Sequence, residues 1–192
     1  MNNMLSEKQL KIKNTALELF SLKGCQSTTI EEIASTCEVA KGLLFYYYET
    51  KDQLIQDIVE ESTGEVLNRF KPFDTPSDMV ELRVLFQNLM KILEFNPQFW
   101  KLTFQIMVGA TQYPQPYTFI RQKLDKPLHD KVFAYFKNRN ATDPLSETAM
   151  FTALVNGAYF NILFRDLKAG HYYIRHIEKL FGNNKVKEDK NG

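Results

Sequence analysis

The residues of this chain best suited to chemistry are two cysteines, Cys25 and Cys37, and three histidines, His129, His171 and His176. Thiolates and imidazoles serve as nucleophiles, general bases and metal ligands. The spacing here supports none of those roles. The histidines stand at no ligating interval from one another or from a cysteine. Asp125 and His129 share a helical face but have no nucleophile beside them. No phosphate-cradling glycine loop and no hydrolase elbow occurs. Two cysteines among 192 residues do not make a disulfide framework, so a reducing cytoplasm is the expected compartment. The chain therefore reads as no enzyme, with no metal and no cofactor. Hydroxyls are better placed. Thr28 and Thr29 stand before Ile30-Glu31-Glu32, so either threonine has a glutamate three residues on and can form a capping box.

The elements that position these residues are helical. Apolar residues recur at three-to-four spacing almost throughout, and no run of strict alternation appears. Ile12, Ala16, Leu19 and Phe20 form one such stripe, which Gly24 ends as a C-cap glycine. A short helix carries Ile30, Ile33 and Ala34 inward, and another spans roughly Ala40 to Tyr46. Thr50-Lys51-Asp52-Gln53 opens a long helix through Leu54, Ile58, Val66 and Phe70. Thr75-Pro76, Asn96-Pro97 and Asp143-Pro144 each set a capping side chain before a proline suited to the first helical position. They predict helices over about 78–95, 97–110 and 144–168. Tyr113-Pro114-Gln115-Pro116 breaks the chain before a helix over 117–138, which Pro127 kinks or splits. Gly170 separates a last helix, about 171–181, from a polar tail at 183–192 expected to be disordered. The count is about nine helices and no sheet, an all-α chain.

Composition agrees with a packed core. Hydrophobic residues make up 44% and aromatics 13%, with 8 Gly and 7 Pro, which excludes collagen-like and low-complexity chains. The longest apolar runs, such as Leu43 to Tyr48, fall far short of the ~18 residues needed to span a bilayer. Residues 1–13 show no secretory signal. No membrane association is expected.

Three helices within the first fifty residues, the last two joined by a tight turn at Ser35 to Val39, fit a helix-turn-helix. The residues narrow this further. Thr15-Ala16-Leu17-Glu18-Leu19-Phe20, Lys23-Gly24, Thr28-Thr29-Ile30, Glu32-Ile33-Ala34, Val39, Lys41-Gly42, Leu44-Phe45, Tyr47-Tyr48 and Lys51 stand in order without a gap. Over residues 10 to 55 the chain resembles the DNA-binding domain of the TetR family of bacterial transcriptional regulators.

That resemblance implies a dimer whose recognition helices enter successive major grooves of a palindromic operator in double-stranded DNA. It implies that Thr28 and Thr29 bind phosphates from the start of the second helix, where hydroxyl and helix dipole both favour an anion. Lys41 would reach a phosphate or a guanine edge, Lys51 a phosphate, and the Tyr47 hydroxyl another. Gly42 in so short a helix costs about 1 kcal/mol relative to alanine. Close approach to DNA would explain it, and so would tight packing on the second helix. Phe45 and Tyr48 are expected to seal the small core. Cys25 stands where an aromatic is usual and reads as a buried thiol; Cys37 ends the second helix near the DNA face. Departures bear on specificity. Ala40 replaces a serine, Leu43 a threonine or serine, and Tyr46 a histidine or asparagine. Leu43 could meet a thymine methyl and Tyr46 a base or sugar, a less polar readout than usual. Glu38 takes the place of the turn glycine.

The expected organisation is a helix-turn-helix domain at 1–51 and a helical ligand-binding and dimerisation domain at 52–182. Residues 95–164 hold 14 aromatics against 25 in the whole chain. Such weight suits a largely apolar pocket fixed by a few polar groups. Trp100, Phe104, Met107, Tyr113, Phe133 and Tyr159 are the candidate lining for a small, largely apolar effector. Ala149, Ala153 and Gly157 recur every four residues, a stripe on which a helix can lie close. With Phe160, Asn161, Tyr173, Ile177 and Phe181 they are the candidate homodimer surface; intramolecular packing of the same stripe is the alternative. The expected function is a ligand-responsive repressor in which the fourth helix, Asp52 to Phe70, transmits the change. The alternatives are an activator on the same scaffold, or a helical scaffold that binds a protein partner.

Charge sets a limit on this reading. Residues 1–51 contain six lysines (8, 11, 13, 23, 41, 51), six glutamates (7, 18, 31, 32, 38, 49) and no arginine. A domain of zero net charge lacks the broad basic footprint of many DNA binders. Attraction must be local, and the salt dependence modest.

Overall fold

The structure, a computed structural model, describes residues 2–69, 74–165, 173, 180 and 181, with side chains from residue 7 onward. It comprises α1 (Asn2–Lys23), α2 (Ile30–Thr36), α3 (Lys41–Tyr47), α4 (Lys51–Arg69), α5 (Met79–Phe95), α6 (Pro97–Val108), α7 (Pro114–Ile120), α8 (Lys126–Asn138) and α9 (Pro144–Phe164). A π-helical turn, Arg121–Asp125, precedes α8. No strand occurs among the described residues, so the chain is all-α. The expected disordered tail, and most of the expected helix at 171–181, lie outside them.

The caps explain where the helices begin. Asn96 accepts from the Phe99 amide and Asp143 from the Ser146 amide, each with proline in the first turn. Prolines are harmless there because the first amides of a helix have no intrahelical acceptor. The same logic corrects the reading of Tyr113-Pro114-Gln115-Pro116: both prolines lie in the first turn of α7, which begins at Pro114. Thr75 is not the cap of α5. Asp78 accepts from the Glu81 amide while the Glu81 carboxylate takes the amide of Ser77, a tighter local closure. The expected helix over 117–138 is split ahead of Pro127: a π turn, Arg121–Asp125, separates α7 from α8. The wider turn accommodates a ring that would otherwise clash with the carbonyl of residue 123 and cannot donate to it.

The helices gather into two compact units. One comprises Met1–Phe70 with Asn96–Asp125, the other Lys71–Phe95 with Lys126–Gly192. The first unit therefore runs past residue 51, because α6 packs on α1 and α7 on α4. Its core takes Ile12, Ala16 and Phe20 from α1, Ile33 from α2, Leu44 from α3 and Leu54 from α4, all fully buried. The isoleucine, leucine and phenylalanine side chains among them stabilise by about 1.5–3 kcal/mol each when buried. Cys25 and Cys37 both lie in this core as free thiols. Burial pushes the Cys25 thiol up to about 12. Cys37 is thus interior rather than near an outer face.

In the second unit α9 packs on α5 and α8. Phe86 meets Phe151 edge-on at 6.0 Å, and Phe181 lies 5.4 Å from Phe136 and 6.1 Å from Phe151. Phe181 is buried in this cluster, which removes it from the expected dimer surface.

The end of α2 carries the most informative backbone. The Val39 amide donates to the Ala34 carbonyl and the Glu38 amide to Ser35, closing a Schellman motif with Glu38 at φ 58°. Asn140 closes α8 in the same way at φ 52°. Asparagine tolerates the left-handed region; glutamate gains nothing there. Glu38 thus keeps the geometry that the glycine it replaces would give, at a cost. Glu38→Gly should stabilise the fold by about 0.5–1 kcal/mol in urea unfolding; a loss of stability would refute the strain argument. Both thiols should resist iodoacetamide in the folded protein and react once it is denatured, and fast labelling of native Cys25 or Cys37 would contradict the burial described.

Candidate nucleic-acid interface

The segment between α1 and α2 is fixed by side chains from three elements. Gly24 turns the chain at φ 91°, a conformation that L side chains rarely adopt. The Thr28 hydroxyl donates to the Gly24 carbonyl at 2.9 Å. The Lys51 ammonium, at the start of α4, donates to the carbonyls of Cys25 (2.6 Å) and Thr28 (3.0 Å). From α6, the Gln105 amide donates to the Phe20 carbonyl at 2.8 Å and accepts from the Cys25 amide at 2.9 Å. The side chains add to backbone bonds from the Gly24 amide to Phe20 and from the Thr28 amide to Gly24, so these polar atoms at the helix end are paired.

Two expected phosphate contacts are corrected by this geometry. Thr28 is fully buried with its hydroxyl committed, so it shapes the turn and offers nothing outward. The Lys51 ammonium holds two carbonyls and acts as a clasp for the same turn. Thr29 is different. It is exposed, caps α2 and accepts from the Glu32 amide at 3.1 Å.

Helix α3 follows the turn, with Ala40 at its N-cap and no side-chain cap bond. Leu44 points into the core fully buried, and Tyr48 just beyond the helix is buried with its hydroxyl donating to Asp57 at 2.7 Å. Asp57 also faces Lys13 of α1 at 3.6 Å, and Gln9 donates to the Tyr48 oxygen at 3.3 Å, so α1, α3 and α4 share one polar knot. With Leu44 and Tyr48 inward, Lys41, Gly42, Phe45 and Tyr46 face out, Tyr46 at 74% exposure. Leu43 and Tyr47 are half-buried. Phe45 does not seal the core as expected; it is 43% exposed, with the Lys41 ammonium 5.5 Å from its ring centre. A side chain built on Gly42 would meet no protein atom within 4 Å. Packing on α2 therefore does not account for this glycine.

The lysines of this face are paired within the chain. Lys41 forms an ion pair with Glu31, and Lys23 with Glu32. Lys11 lies 3.7 Å from Glu38. The hydrogen bond from Lys41 holds the Glu31 carboxyl below its usual range. Neither these pairs nor the Gln105 clasp was foreseen. Gln105 acts across 80 and 85 residues of sequence, and no local pattern marks it.

The remaining candidates fall on both units. Trp100, Phe104, Met107 and Tyr113 belong to the first, Phe133 and Tyr159 to the second. Tyr113 is corrected to a core residue: it is 6% exposed and packs in the cluster that holds Cys25, Ile106 and Ile120. Burial raises its hydroxyl above the ordinary tyrosine range, with further contributions from Cys25 and Asp52. Met107 is 39% exposed. Ala149, Ala153 and Phe160 of α9 are exposed, and Phe160 packs on Phe164 at 5.3 Å. Gly157 is corrected as a free dimer contact. A Cβ there would meet the Tyr173 hydroxyl at 3.3 Å, and Asn161 donates both to that hydroxyl (2.7 Å) and to the Gly157 carbonyl (2.8 Å). Gly157 and Tyr173 are partners within one chain. Ile177, His171 and His176 lie outside the described residues. His129 sits 3.5 Å from Asp130 and stacks beside Phe133 at 6.5 Å. Among the described residues no three His, Cys, Asp or Glu side chains gather as a metal site, and no helix is long and apolar enough to cross a membrane.

Comparison with known proteins agrees with the helix-turn-helix. Residues 12–58 match the family model described as bacterial regulatory proteins, tetR family. An uncharacterized HTH-type transcriptional regulator of Bacillus subtilis, YuxN, is 28% identical over 117 residues, 58% of this chain. The chain spans only 38% of the length of that relative. The biofilm operon icaADBC HTH-type negative transcriptional regulator IcaR of Staphylococcus epidermidis is 27% identical over 129 residues, covering 66% of this chain and 68% of IcaR. Among solved structures, the transcriptional regulator FadR from Bacillus subtilis in complex with stearoyl-CoA superposes with a TM-score of 0.67 at 12% identity, over 88% of this chain and 96% of FadR. Residues 12–58 are thus a DNA-binding domain of the TetR type, and the chain as a whole shares the all-helical fold of solved TetR-family regulators.

Proposed function

We propose that this chain is a ligand-responsive repressor that binds a palindromic operator as a homodimer through the outward face of α3. The observation that carries this reading is Gly42. A glycine inside a seven-residue helix costs about 1 kcal/mol relative to alanine. The open space around it leaves that cost without an intramolecular reason. A nucleic-acid backbone lying against α3 supplies one. Lys41, Gly42, Leu43, Tyr46 and Tyr47 form the reading face, with Thr29 as the phosphate contact at the start of α2. Thr28 and Lys51 hold the turn that aims this face. The half-sites of the operator lie one helical turn, about 34 Å, or a multiple of it apart.

The helices beyond α4 are the sensor and dimer region. Their aromatic weight supports a largely apolar effector, and the related fold of FadR holds stearoyl-CoA. Within the first unit the candidate lining reduces to Trp100, Phe104 and Met107. Exposed Ala149, Ala153 and Phe160 on α9 remain the dimer candidates. Repression is favoured over activation by the likeness to IcaR, a negative regulator. Effector binding favours a state in which the two α3 helices no longer match the half-site spacing. Differential affinity of a few kcal/mol between the two states suffices for release.

Gly42→Ala separates folding from binding. The variant should be more stable by about 1 kcal/mol and yet bind the operator at least about tenfold more weakly, 1.4 kcal/mol. Thermal melts and mobility shifts on genomic fragments selected by the wild-type protein measure the two effects. A variant that is more stable and binds DNA equally well would remove α3 as the reading face.

A further inference from the structure

Resting on the DNA-binding reading, we infer that Glu31 and Glu32 are specificity-determining residues that hold the DNA-face lysines in reserve and so suppress phosphate-only binding. The observation is the pairing itself. Glu31 and Glu32 lie in the first turn of α2, beside the Thr29 cap. Each is joined to a lysine from a neighbouring helix: Glu31 to Lys41 at the start of α3, Glu32 to Lys23 at the end of α1. Local helix electrostatics explain one side of this arrangement, because acids stabilise a helix start. They do not explain Lys41, a cation at the start of α3, where the dipole opposes it. Glu31 is the compensation. Both lysines and Glu31 are about half exposed or more, so these pairs sit in water and exchange partners readily.

Binding to arbitrary sequence is almost wholly electrostatic, driven by counterions released as lysines meet phosphates. In this domain a lysine that turns to a phosphate must leave a carboxylate, which then faces the same negative backbone. That penalty falls hardest on a complex with no other source of affinity. At the operator, register is fixed by Thr29, Leu43, Tyr46 and Tyr47, contacts that need no free lysine, and Lys41 leaves Glu31 only where these contacts offset the exchange. The acids therefore widen the gap between the two modes. The same logic gives the neutral charge of residues 1–51 a purpose.

The test compares full-length wild type with Glu31→Gln/Glu32→Gln and with a control of equal charge change, Glu7→Gln/Glu18→Gln. Glu7 and Glu18 line a surface cleft of α1 together with Lys11 of the same helix and Gln98 of α6, and the cleft includes neither Lys23 nor Lys41. Affinity is measured for the selected operator and for random-sequence duplex across a salt series, with thermal melts to verify folding. The paired-acid variant should bind random duplex about tenfold more tightly and the operator by less than about threefold. Its salt slope on random duplex should steepen by about 0.9 per released lysine, and the control should show neither change. An unchanged ratio of operator to random affinity, or an equal effect of the control, would overturn the inference while leaving DNA binding intact. Wild-type protein that binds neither duplex at low salt would instead overturn the DNA-binding reading beneath it.

Discussion

Closure of the six-residue turn between α1 and α2, residues 24–29, is the constraint on which the rest depends. α1 ends with unpaired carbonyls, and α2 must start at a defined angle for α3 to present its outward face. Gly24 supplies the left-handed turn, the Thr28 hydroxyl ties it, Lys51 clasps two of its carbonyls, and Gln105 bridges the Phe20 carbonyl and the Cys25 amide. An unmade buried hydrogen bond costs about 1–3 kcal/mol, so these contacts specify one turn geometry rather than several. They also tie three separate helices, α1, α4 and α6, to the same few atoms. A shift in α4 or α6 is therefore felt first at the start of α2, one residue from Thr29.

Periodicity and capping made most of the helical frame legible. Ile12, Ala16 and Phe20 recur at helical spacing because one face of α1 is buried, and all three are core. Asn96 and Asp143 announced helix starts because an amide acceptor beside a proline has few other uses. The misreadings share one cause. Thr28 and Lys51 carry groups suited to phosphate, but burial and a carbonyl within reach decided their partners, and neither is visible in sequence. Phe45 and Tyr113 exchanged roles for the same reason. An aromatic goes inside only if its helix face does, and α3 is too short for periodicity to fix its face. Gly157 belonged to a stripe with two possible occupants, and at this one position Tyr173 of the same chain lies against it.

The charge arithmetic changes meaning in this light. A domain with equal numbers of lysines and glutamates is a weak general attractor for DNA. In the structure three of these lysines are paired with these glutamates across helix boundaries, Lys41 of α3 with Glu31, Lys23 with Glu32 and Lys11 with Glu38. On the proposed reading, affinity comes from exposed hydroxyl and aromatic groups, from close backbone approach at Gly42, and from lysines only when the exchange of partners is worthwhile. Such an interface gives up strength on arbitrary sequence and keeps discrimination.

On the proposed reading, the outward face of α3 reads DNA in a local, weakly electrostatic way. Selection of genomic fragments by the purified full-length chain, followed by affinity measured against salt, tests it most directly. The account predicts capture of a palindromic fragment at low salt, with a log–log slope well short of the ~−10 reached by strongly basic binders. Failure to retain any fragment at low salt, or a slope as steep as that, would contradict it.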